Sequence, residues 1–157
     1  MPVPEELPIR WMDDLHTAFV GRCSNGNQFF INDFWRDPSP SHESIPDLNH
    51  EAYFSRRHAY LVLYIFNKNG DLIDHLFWDG GPGHNCSQDQ IDQQRLMMLA
   101  TLGKYRFSDI LVKPFSILIN GIAFGLIRDT DPEYEAVHLQ PGSQITFEKP
   151  WDGEFYT

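Results

Sequence analysis

Three Asn-Gly pairs, Asn25-Gly26, Asn69-Gly70 and Asn120-Gly121, each stand between runs of β-forming residues. Asn and Gly tolerate the positive φ that a tight type I′ turn demands, so Asn25-Gly26 and Asn120-Gly121 each mark a hairpin, and Asn67-Lys68-Asn69-Gly70 turns the chain between its two strands. Strands joined by so short a link have to be antiparallel, because parallel neighbours need a long crossover. The strands bracketed in this way run over residues 16–23 and 28–34, 57–66 and 72–78, and 115–119 and 122–128. A further pair, 135–139 and 144–148, closes across Gln140-Pro141-Gly142-Ser143. Residues 108–113 are strand-forming as well. Pro114 cuts them off from 115–119, which predicts an edge position or a bulge there.

Two segments depart from this rhythm. Tyr60 to Phe66 is apolar at every position, the pattern of a strand covered on both faces. Ser87-Gln88-Asp89-Gln90 reads as a capping box, and Ile91, Arg95, Leu96, Met98, Leu99 and Leu102 follow at helical spacing up to Gly103. Ahead of it, Gly80-Gly81-Pro82-Gly83 fits no regular element. Residues 35–55, with Pro38, Pro40 and Pro46, read as a long loop. The expected fold is α+β in a single domain over 1–157. It combines a curved, mainly antiparallel sheet of about eight strands with one main helix near 87–103, packed on one face.

Charge narrows the partners. The 157 residues carry 22 acids against 12 Lys and Arg, a formal net charge of −10. Such a surface repels phosphate backbones and anionic bilayers, so neither nucleic acid nor membrane is an expected partner. No apolar run approaches the length that spans a bilayer. Met1-Pro2-Val3-Pro4-Glu5-Glu6 puts acids where an export signal needs bases. A cytoplasmic protein is expected, with Cys23 and Cys86 as reduced thiols; a Cys23–Cys86 bridge is the alternative.

Residues 74–86 gather side chains able to do chemistry. His75, Asp79, His84 and Cys86 include enough donors for zinc, but only His84 and Cys86 are closely spaced, and the glycines leave them unanchored. Cys86 precedes a helix N-terminus, whose dipole stabilises a thiolate, and His84 or His75 offers a base. The competing reading makes Cys86 a small residue filling space under a loop. Gly80-Gly81-Pro82-Gly83 has the glycine content of a phosphate loop, yet residues 71–92 hold acids and no Lys or Arg. No metal, cofactor or catalytic residue is expected.

Asp129, Asp131, Glu133 and Glu135 alternate, which in an extended chain points four carboxylates to one side. Such a row is either a solvated connection or a docking face for a basic partner. His16, His42, His50, His58 and His138 are scattered and read as surface or satisfied core. Trp11, Trp78 and Trp151 read as core anchors. Trp35, at the start of the irregular stretch, is the candidate for partner contact.

Gly21-Arg22 with Gly26 and Gln28-Phe29-Phe30, the run Tyr60 to Phe66 with Gly70, and the ending Pro150-Trp151-Asp152-Gly153-Glu154-Phe155-Tyr156-Thr157 carry a resemblance. Together they are similar to a group of small uncharacterised bacterial proteins, some of which are automatically labelled formate hydrogenlyase regulatory protein. The pieces span most of the chain and are signatures of turns and core, so the resemblance transfers no catalytic residue. It implies regulation through protein contact. The expected function is a non-catalytic, acidic protein-binding module, of immunity or regulatory type, that neutralises or regulates a partner protein with a basic surface. Asp129, Asp131, Glu133, Glu135 and Trp35 are its expected contacts. The alternative is a small thiol-dependent or hydrolytic enzyme using Cys86 with a nearby His.

Overall fold

The computed structural model describes residues 2–13, 16–36 and 57–155, and of His84 the backbone alone. The strands are β1 (Leu7–Ile9), β2 (Val20–Cys23), β3 (Gln28–Arg36), β4 (His58–Phe66), β5 (Leu72–Pro82), β6 (Tyr105–Phe107), β7 (Ile110–Val112), β8 (Phe115–Ile119), β9 (Ile122–Arg128), β10 (Ala136–Gln140) and β11 (Thr146–Glu148). Among the described residues there is one α-helix, α1 (Gln88–Ala100), which follows β5 after a 3-10 turn at Gly83–Asn85. Every strand pairing is antiparallel. The sheets run in the orders β5-β4-β3-β2-β6, β11-β10-β9-β8 and β1-β7.

The α+β class and the antiparallel pairing agree with the sequence, but the single curved sheet of about eight strands does not form. Among the described residues, eleven strands divide into three sheets of five, four and two. The reason lies in β4, which is apolar on both faces and therefore needs a layer on each side. Val62, Tyr64 and Phe66 point into one core with Phe124, Leu126, Val137, Leu139 and Phe147 of the four-stranded sheet. Ala59, Leu61 and Leu63 point the other way, into a second core with Ile91, Met98 and Leu99 of α1. The molecule is thus helix on sheet on sheet. β1 and β7 add Leu7, Ile9, Ile110 and Val112 to the first core.

The three Asn-Gly turns all close hairpins, by two different geometries. Asn120 and Gly121 both have positive φ, 52° and 80°, as a type I′ turn requires. At the other two, only the glycine does, and its N–H donates to the residue three back: Gly26 to the Cys23 carbonyl and Gly70 to the Asn67 carbonyl, each 3.0 Å. This is the three-residue alternative, a turn followed by a glycine bulge.

Helix α1 begins where its cap does. The Ser87 hydroxyl accepts from the Gln90 N–H (3.2 Å) and the Gln90 side chain accepts from the Ser87 N–H (2.7 Å). It ends at Ala100, three residues before Gly103, which adopts φ 72° beyond the cap. Gly80-Gly81-Pro82, expected to fit no regular element, is part of β5, which runs through it. β5 is an edge strand, where a proline costs no ladder donor. Gly80 is needed for packing: a Cβ there would lie 2.5 Å from the Trp78 ring and 2.8 Å from the Cys86 sulfur.

Candidate functional site

The loop between β9 and β10 carries the acidic row. It is folded into turns instead of lying extended. Asp129 Oδ1 accepts from the Asp131 backbone N–H (2.8 Å), and Asp131 Oδ1 accepts from that of Glu133 (2.9 Å). These are two successive Asx turns, the local geometry that Asp side chains offer to a chain free of ladder pairing. Asp129 Oδ2 also meets His138 Nε2 at 2.9 Å, and the other ring nitrogen contacts Thr146 Oγ1 at 3.0 Å. The Asp131 N–H first, and the His138 ring second, hold the Asp129 carboxyl below the usual carboxylate range. Glu135 accepts from the Val3 N–H at 3.1 Å and lies 4.0 Å from Lys149 Nζ. The Tyr134 hydroxyl donates to Glu148.

The four carboxylates therefore divide. Asp129 and Glu135 are half-buried and tie the loop to β10, β11 and the N-terminal segment. Asp131 and Glu133 are exposed and form no ion pair among the described residues. Trp35 lies on β3 and not in an irregular loop, and its carbonyl accepts from Arg57 Nη2 at 2.8 Å. It is half-exposed and shares a strand face with Phe29 and Ile31, toward the helix layer. The acidic loop joins two strands of the sheet on the opposite side, so Trp35 and the acids do not form one surface.

Of the other chemistry-bearing residues, Asp79 stands close enough to act on Cys86 and is itself held by His58, whereas His75 lies apart; the His84 side chain is outside the described residues. Cys86 packs with Trp78 in the core beneath α1, and neither it nor Cys23 is in a disulfide. Burial first, and the Asp79 carboxylate second, push the Cys86 thiol pKa up, against the pull of the helix dipole. His75 pairs across the strands with Tyr64 and so belongs to the other face of the sheet. Asp79 is engaged by His58 Nδ1, at 2.8 Å. His16 is exposed; His42 and His50 lie outside the described residues. Among the described residues no three His, Cys, Asp or Glu side chains are gathered to hold a metal ion, and no helix is long and apolar enough to cross a membrane.

Sequence reasoning missed a second surface, at the free edge of the five-stranded sheet. Trp78 and Trp151 pack against the cores, but Trp11, also read as an anchor, is 41% exposed and stacks on Phe107 of β6 (6.4 Å, 9°). The signal available was the alternation of basic and aromatic residues in Lys104-Tyr105-Arg106-Phe107. No protein-family model, curated protein or solved structure matches the chain.

Proposed function

We propose that the chain is a non-catalytic, acidic protein-binding module that neutralises or regulates a partner protein with a basic surface. The observation that carries this reading is the build of the 129–135 loop. Two Asx turns and the Asp129–His138 pair fix its shape, while the Asp131 and Glu133 carboxylates face solvent with no cation of their own among the described residues. A preorganised anionic loop binds with little ordering cost, and its field speeds encounter with a cationic surface. In this division Asp131 and Glu133 make contact, Asp129 and Glu135 hold the loop in place, and Trp35 serves a separate contact. The resemblance to bacterial proteins with a regulatory label points the same way, toward action by contact.

The test is kinetic. A partner captured from an extract of the source cells is mixed by stopped flow with the wild type and with the Asp131→Asn/Glu133→Gln variant. Asn retains the oxygen that closes the second Asx turn, so the fold is expected to survive. At about 0.01 M salt, where the screening length is roughly 30 Å, the variant should associate several-fold more slowly. Near 1 M the length falls to about 3 Å and the difference should vanish. Equal rates at low salt would remove the loop from the interface.

A further inference from the structure

The edge strand β6 combines three features that occur together nowhere else among the described residues. First, its outer backbone is open among the described residues. Ser24 N–H donates to the Lys104 carbonyl (2.9 Å) and Ser108 N–H to the Val20 carbonyl (3.1 Å), while Arg106 stands opposite Arg22. The alternation of an antiparallel ladder then turns the N–H and C=O groups of Tyr105 and Phe107 away from β2, where no further strand lies among the described residues. Second, the edge carries aromatic rings in solvent. Trp11, Tyr105 and Phe107 are 41%, 38% and 40% exposed. Trp11 is held from both ends, its backbone N–H on Asp109 Oδ1 and its indole N–H on the Ala18 carbonyl, each 2.9 Å.

Third, the edge is cationic in an anionic protein. Arg10, Arg95, Lys113 and Lys149 each have a carboxylate partner. Arg22, Lys104 and Arg106 have none among the described residues; Arg22 donates only to the Asp109 carbonyl, at 3.2 Å. Arg22 and Arg106 face each other across the strands, a like-charge pair that destabilises a sheet on its own. Strand alternation puts Lys104 and Arg106 on one face and Tyr105 and Phe107 on the other.

We infer that β6 is a docking edge for an extended acidic segment of a partner protein, which adds to the five-stranded sheet as a sixth strand. Main-chain hydrogen bonds to Tyr105 and Phe107 supply the pairing. Carboxylates at alternate positions of the segment meet Lys104, Arg106 and Arg22, and apolar side chains between them meet Phe107, Tyr105 and Trp11. The recognised pattern is acid, apolar, acid. A second copy of the chain does not fit, because two β6 edges would set these cations against each other. Cations alone are a known guard against edge aggregation, but a guarded edge has no use for three exposed aromatic rings. The inference is independent of the acidic loop, which lies on a different sheet.

The experiment selects ten-residue peptides from a displayed random library on the immobilised full chain. Binding of the enriched peptides is then measured by fluorescence anisotropy. Enrichment of acids at alternate positions is expected, with affinity falling at least tenfold in the Arg22→Gln/Arg106→Gln variant. Bound peptide should slow amide hydrogen exchange at Tyr105 and Phe107. Because the variant relieves a like-charge contact, its thermal midpoint should not fall, which separates lost binding from lost folding. No enrichment over a blank support, enriched peptides without acids, or affinity equal in wild type and variant would overturn the inference. So would a variant that dimerises in sedimentation while the library yields nothing, since the arginines would then be edge guards only.

Discussion

Tyr64 is fully buried between the two sheets, against Phe30, Phe66 and Phe115, yet its hydroxyl has no hydrogen-bond partner among the described residues. Burial pushes its pKa up, the mark of a polar group taken from water without compensation. Tyr64→Phe keeps the ring contacts and removes the orphaned group, so stability should hold or rise by about 1 kcal/mol. A urea midpoint that drops instead would reveal a partner for the hydroxyl. Asp129 gives a second test at the same scale, with a definite sign in pH. Its carboxyl titrates lower in the folded chain than in the unfolded one, so the ionised form favours the fold. That contribution is complete above the unfolded pKa, about 3.9, and is lost as pH falls through the folded value. Asp129→Asn should therefore be less stable than wild type at neutral pH, and the gap in urea midpoint should close below about pH 4. A gap independent of pH would mean that the charge contributes nothing.

At the scale of the element, what is local in chemistry is legible in sequence. Asn120-Gly121 needs no tertiary contact to prefer its turn, and Ser87 with Gln90 caps α1 through groups three residues apart. Ser87→Ala should accordingly cost about 1 kcal/mol, read as a lower urea midpoint, with Ser87→Asp retaining most of it. An unchanged midpoint for the alanine variant would show that the box does not hold the helix start. β1 and β6 were illegible for the opposite reason. Each has three residues, too few for a period, and pairs with a strand more than eighty positions away. Pro82 misled because proline excludes only an inner strand, and edge position is a property of the assembled sheet. The acidic row misled on conformation: alternation suggested an extended chain, whereas Asp129, Asp131 and Pro132 carry the turn chemistry that wins there.

For the whole molecule, the sequence displayed that β4 is covered on both faces but not what covers it. Strands β8–β11 read equally well as a continuation of one sheet, and only their packing against Val62, Tyr64 and Phe66 separates them. The candidate site was legible to the same depth. The acids stood out by charge, whereas the division between loop-building and outward-facing carboxylates depends on His138 and Val3, which are distant along the chain. The membership of β4 in two cores has a further consequence for how the protein comes apart. Amides of β4 should exchange only when the entire chain opens. Those of α1, which packs only on the smaller core, should exchange through a lesser opening with weaker dependence on denaturant. Native-state hydrogen exchange in rising denaturant would resolve two isotherms, and a single shared isotherm at all concentrations would show one cooperative unit. If two are found, the helix layer is the first door of the molecule, and Phe29, Ile31, Leu61 and Leu63 are the surface that sticks when it swings open.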